Sequence, residues 1–131
     1  MLSRRFLAGL TLNVDGLGVA NVDCRTPSVT RNVINQIDTP DGRSATMQVL
    51  VDIDAHATVS PHAHPSVESV YILEGGGILQ INGQPDRVMR PGDTAEVPPN
   101  TPHALRNGAR PTKLLSIYMV DTRRELAAAA L

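Results

Sequence analysis

The sequence predicts a single all-β domain, either a sandwich or a barrel. Ten glycines and ten prolines in 131 residues supply turns at short intervals. Between those turns lie segments rich in β-branched residues that roughly alternate between apolar and polar. No repeat or linker interrupts them, and the length suits one core.

Taken in order, residues 1–27 read as an arm that precedes the barrel. Its opening, "MLSRRFLAGL", pairs Arg4 and Arg5 with a short apolar run. That pattern reads either as a twin-arginine export signal or as a basic turn followed by a packing strand. The first reading places the protein outside the cytoplasm and the second inside it. The barrel is expected over residues 28–122. "RNVINQI" (31–37) and "SATMQVLVDI" (44–53) are strands, joined by the turn "TPDG" (39–42). "VESVYILE" (67–74) is the next strand, and "GGG" (75–77) folds it back onto "ILQI" (78–81). Asn82-Gly83 is the strongest hairpin signal in the chain. "RPGD" (90–93) and "VPPNTPH" (97–103) punctuate two further strands, and "TKLLSIYMV" (112–120) is the last. Residues 123–131, "RRELAAAAL", read as a tail or a short helix at the lower limit of independent stability.

Composition excludes several classes. The formal net charge is −1, so nothing steers the chain toward nucleic acid or an anionic membrane. No apolar run is long enough for a membrane-spanning helix. A single cysteine, Cys24, forms no internal disulfide and cannot build a cysteine-rich zinc module. It reads as a free thiol outside the barrel. The only aromatics are Phe6, Tyr71 and Tyr118, too few for a stacking platform.

The histidines carry the chemistry. His62 and His64 stand at i and i+2 of an extended segment and so share a face. Pro65 turns the chain, and Glu68 opens the return strand close enough to point back at them. Two nitrogens and one oxygen then offer three sides of a site for a borderline divalent metal. An HxH pair on a solvent-facing strand is also commonly inert. His103 separates the two readings, because a Pro-rich corner delivers a third imidazole to the start of another strand. Buried without metal, these groups would cost several kcal/mol unless other partners were found.

Here the chain resembles the cupins, a family of small β-barrels marked by two motifs. The first is HxH, then Glu, then Gly, matched by His62, His64, Glu68 and Gly75. The second is PGD, a Pro-rich corner, His and Asn, matched by Pro91-Gly92-Asp93, Pro98-Pro99, His103 and Asn107. The short stretch between them is typical of the compact single-domain type. One departure is visible: His56 stands where the family often has glycine, six residues before the HxH. His56 itself reads as a surface histidine on a strand.

The resemblance implies a single jelly-roll-like cupin barrel. It also implies His62, His64, Glu68 and His103 as ligands of one divalent metal, iron, manganese, nickel or zinc. Gly75, Gly92 and Asn107 would serve turns and strand ends. Four protein ligands leave about two positions open on a six-coordinate ion, which suits a small-molecule substrate or O2. The first expectation is therefore a small metal-dependent enzyme, with dioxygenase-like oxidation of a small oxygen-rich substrate. The alternatives are a non-redox isomerase, lyase or decarboxylase of a sugar-like or keto acid, and a non-catalytic small-ligand or metal-binding module. Glu68 is a candidate base, with Tyr71 beside it as a second catalytic candidate. Gln48, Arg106, Tyr118 and Met119 are candidate pocket residues. Family members are often homodimers, so a homodimer is expected, with residues before about 30 against the partner.

Overall fold

The computed structural model describes Leu12–Asn13 and residues 26–123, and these form two facing antiparallel sheets. The six-stranded sheet has the order β1 (Leu12–Asn13), β2 (Val29–Asp38), β3 (Ser44–Ile53), β10 (Thr112–Asp121), β5 (Val67–Glu74) and β8 (Thr94–Val97). The four-stranded sheet has the order β4 (Thr58–His62), β9 (His103–Arg106), β6 (Gly77–Ile81) and β7 (Arg87–Met89). Among the described residues there is no helix. The expected C-terminal helix, the export signal, Cys24 and most of the N-terminal arm lie outside the described residues.

Period-two alternation builds the core. On β3, Ala45, Met47, Val49, Val51 and Ile53 are buried, while the residues between them face outward. β5 and β10 pair with the same parity and contribute Val70, Ile72, Leu114 and Val120. Leu79, Ile81, Met89 and Leu105 close the core from the second sheet. Each fully buried aliphatic side chain stabilises by roughly 1.5–3 kcal/mol relative to exposure.

Against that background, the polar residues on the inward parity stand out. They are Arg31 on β2, Glu68 on β5, His103 on β9, and Thr112, Ser116 and Tyr118 on β10. Leaving such groups unpaired inside would cost several kcal/mol each. Sheet register brings several of them together: Tyr118 sits directly across from Glu68, and His62 directly across from His103.

The turns are tied to the barrel end near Asn107. Its Nδ2 donates to the carbonyls of Ile53 (3.1 Å) and Asp54 (2.9 Å). The hydroxyl of Thr112 accepts from Gly76 N at 2.8 Å. Gly75 in the β5–β6 turn has φ of +77°, and a Cβ there would come 2.1 Å from the carbonyl oxygen of Pro111. The first glycine of the "GGG" run is therefore required by both backbone conformation and space.

Candidate metal centre

His62 ends β4, His64 follows in the connection to β5, Glu68 lies near the start of β5, and His103 opens β9. One ring nitrogen from each of the three histidines lies within 4.8 Å of the others. His64, Glu68 and His103 are 3%, 5% and 7% exposed, and His62 is half-buried at the mouth.

All three imidazoles are oriented in the same way. His62 Nδ1 lies 2.7 Å from the carbonyl of Ser60, His64 Nδ1 3.0 Å from that of Ser66, and His103 Nδ1 2.9 Å from that of Thr101. A carbonyl only accepts, so each Nδ1 carries its proton and donates it. In the neutral ring each Nε2 lone pair is then left facing the common centre.

Glu68 adds a fourth electron-rich atom. Its Oε1 lies 3.0 Å from His64 Nε2 and 3.2 Å from His103 Nε2. Ser116 Oγ donates to its Oε2 at 2.7 Å, which fixes the carboxylate plane. His103 Nε2 is close to Glu68 but poorly aligned with it, so this buried nitrogen has no hydrogen-bond partner.

Lone pairs this close repel unless a cation lies among them. Either protons or a metal ion must fill that role. Burial opposes ionisation of Glu68, but without metal the protons that the His103 and His64 rings can carry beside it, together with the Ser116 hydroxyl, outweigh it and hold the carboxyl well below the usual range. Burial also disfavours charge on His103, yet its contact with Glu68 raises its pKa. Burial lowers His62, which keeps that ring neutral and able to ligate. The three converging imidazole nitrogens suit a borderline divalent ion, so the residues present fit the expected metal, with Glu68 beside two of them.

Beside the centre is a cavity of about 430 Å³, mouth included. Its walls are mostly aliphatic, including Val51, Ile53, Leu79 and Leu114, with Arg31 and Tyr118 as further polar members. Burial, and then the negative charge of Glu68, push the Tyr118 phenol far above its ordinary pKa.

Of the pocket candidates taken from sequence, Tyr118 lines this cavity and the other three do not. Gln48 has the outward parity of β3, where it accepts a hydrogen bond from Asn35 Nδ2. Met119 is 55% exposed, because its neighbour Tyr118 takes the inward position. Arg106 is exposed at the end of β9 and borders a separate cleft beside Gly75–Gly77. Tyr71, the second catalytic candidate, is 42% exposed on the outer face of β5. It is three residues from Glu68, so the pleat turns it away from the centre. His56 is exposed, as expected, but it lies in a turn and not on a strand.

Two residues of the site were missed. Arg31 alternates with Val29 and Val33, which puts it on the inward face of β2. Ser116 alternates with Leu114 and Tyr118 on β10. A polar residue at an inward position of an apolar strand was the available signal for both.

The comparisons agree with this architecture. The family model described as Cupin domain matches residues 49–118, more than half of the chain, and the chain belongs to that family. An uncharacterized protein of Methanocaldococcus jannaschii is 35% identical over 69 residues, covering 52% of this chain and 54% of that protein. The dimethylsulfoniopropionate lyase DddQ of Ruegeria pomeroyi is 37% identical over 60 residues, 46% of this chain and 30% of that protein. The chain thus spans about half of one of these curated relatives and under a third of the other. Among solved structures, an RmlC-like cupin from Shewanella frigidimarina aligns with a TM-score of 0.57 at 18% identity. The alignment covers 79% of this chain and 91% of that one. That likeness concerns the fold alone.

Proposed function

We propose that the protein is a metal-dependent enzyme acting on a small, oxygen-rich organic molecule in the cavity beside His62, His64, Glu68 and His103. One observation carries the reading. Three imidazoles commit every Nδ1 to a backbone carbonyl, and the buried Nε2 of His103 has no partner of its own. When bound, a divalent ion (iron, manganese, nickel or zinc) would supply Lewis acidity toward a substrate oxygen.

The chain's own residues do the rest. Ser116 holds Glu68 in one orientation. The aliphatic wall excludes water, which strengthens every polar interaction inside. Tyr118 keeps its proton and stands in the cavity wall, where its hydroxyl can donate a hydrogen bond to charge developing on a substrate oxygen. A neutral hydrogen-bond donor favours a non-redox lyase, isomerase or decarboxylase. The lyase named among the curated relatives supports the same direction. Dioxygenase-like oxidation is the second reading, supported by the open positions that four protein ligands leave on a six-coordinate ion.

Elemental analysis of protein purified without added metal tests the centre. Close to one divalent ion per chain is expected, with most of it lost in His62→Ala and in His103→Ala. Full metal content in His103→Ala would sink the four-ligand assignment. Turnover by zinc-loaded enzyme without O2 supports the non-redox reading, and stoichiometric O2 uptake supports the oxidative one.

The proposal extends to a homodimer. The outer face of the six-stranded sheet carries Tyr71, Leu73 and Met119 at 42%, 41% and 55% exposure, an apolar area that a second copy would cover. A monomer mass by light scattering at micromolar concentration would overturn the dimer.

A further inference from the structure

Arg31 is 9% exposed and lines the cavity together with His62, Glu68 and Tyr118. A buried guanidinium normally has its donors paired, because five N–H groups lose their water on burial. Among the described residues, no side chain or carbonyl makes a hydrogen bond or ion pair with the Arg31 guanidinium. Among the described residues Glu68 is the only acid lining the cavity, and it is already held by His64, His103 and Ser116. The structure therefore places a largely buried, unpaired cation in the wall of a cavity where Glu68, the one acid lining it among the described residues, is committed elsewhere.

We infer that Arg31 is the anchor for an anionic substrate, and that the anion is a carboxylate on a short apolar chain. This rests on the reading of the site as a substrate-binding metal centre and names the substrate class. The planar guanidinium matches a carboxylate in a two-bond fork. Register places Val51 directly across from Arg31, and Leu114 across from Val51, so the wall next to the fork is aliphatic. Among the described residues lining the cavity, Arg31 is the one permanently charged donor. A phosphate carries more charge and more acceptor oxygens than one guanidinium satisfies, whereas a carboxylate monoanion is matched by it. The other end of the substrate then lies toward His62 and His103, which line the same cavity.

The test uses ¹⁵N-labelled full-length protein, both metal-free and zinc-loaded. Butyrate, its uncharged analogue butyramide, and inorganic phosphate are titrated in turn. The readouts are the Arg31 Nε–Hε resonance and the apparent Kd. Butyrate is expected to shift that resonance and to bind at least tenfold more tightly than butyramide and phosphate. Arg31→Met should erase the preference for butyrate, and Arg31→Lys should keep part of it. Equal binding of butyrate and butyramide by wild type overturns the proposal, as does a preference that survives in Arg31→Met. Tighter binding of phosphate overturns the carboxylate class. If Arg31→Met fails to fold by circular dichroism, the wild-type ligand comparison and Arg31→Lys still decide. Metal content is measured on the same samples. A failure of the metal centre therefore shows there, while the comparison in metal-free protein continues to report on Arg31.

Discussion

Ser116 shows what a single oxygen does at this centre. It is 2% exposed, its neighbours on the same face are Leu114 and Tyr118, and its hydroxyl donates to Glu68 Oε2 at 2.7 Å. Alanine in its place leaves the packing nearly unchanged but deprives a buried carboxylate oxygen of its donor. Such a loss costs about 1–3 kcal/mol. Outer-shell partners of metal ligands typically change metal affinity by about 10–100-fold when removed. Ser116→Ala is therefore expected to fold normally and to bind zinc at least tenfold more weakly in competition with a chelator. Unchanged affinity would mean that the bond does not orient Glu68 for a metal. In the sequence Ser116 was legible only as a polar residue at an inward position of an apolar strand, since it belongs to neither cupin motif. Register pairs Ser116 with Val70, and only the side-chain geometry shows its hydroxyl reaching diagonally to Glu68.

At the scale of the element, the turn between β3 and β4 explains the one departure from the family pattern. His56 has φ of +64°, a left-handed conformation. Its N–H donates to the carbonyl of Gly108 at 2.7 Å, and Ala57 N–H closes the turn on Asp54 O at 3.0 Å. A side chain in that conformation costs about 1–2 kcal/mol. Glycine avoids this cost but loses about 0.5–1 kcal/mol more backbone entropy on folding. His56→Gly is accordingly expected to stabilise the protein, by on the order of 0.5 kcal/mol in urea unfolding, with metal content unchanged. Loss of metal in this variant would place His56 in the centre. The same scale shows how far the sequence could be read. β3 and β5 were plain because one face of each is buried and the other is not. β4 was not, since it is an edge strand, contains Pro61 and slips register between Val59 and His62. His64 joins the cluster from the connection after β4, where strand parity no longer applies. Parity did apply within β5 and β10. Tyr71 lies three residues from Glu68, and Met119 is adjacent to Tyr118, so strict counting would have placed both outside.

Across the whole molecule, the four candidate ligands join the two sheets. His62 and His103 stand on the four-stranded sheet, Glu68 on the six-stranded one, and His64 on the connection between them. Without metal, these groups are a local weakness in the core. Their lone pairs need protons, and His103 Nε2 has no hydrogen-bond partner. A metal ion bound there would bind the folded chain far better than the unfolded one, because the ligands converge only after the sheets have formed. At free metal near a thousand times Kd, this linkage adds about 4 kcal/mol of stability. For a domain of this size, that corresponds to a rise in Tm of roughly 10 °C or more. Wild-type protein is thus expected to melt at least 10 °C lower in excess chelator than in excess zinc, by the same linkage and scaling. His103→Ala should melt at nearly the same temperature in both conditions, since it lacks the fourth ligand. The variant also separates this effect from a general action of zinc on the surface, which would raise both proteins alike. A wild-type Tm indifferent to chelator would mean that the two sheets are held by their aliphatic core alone.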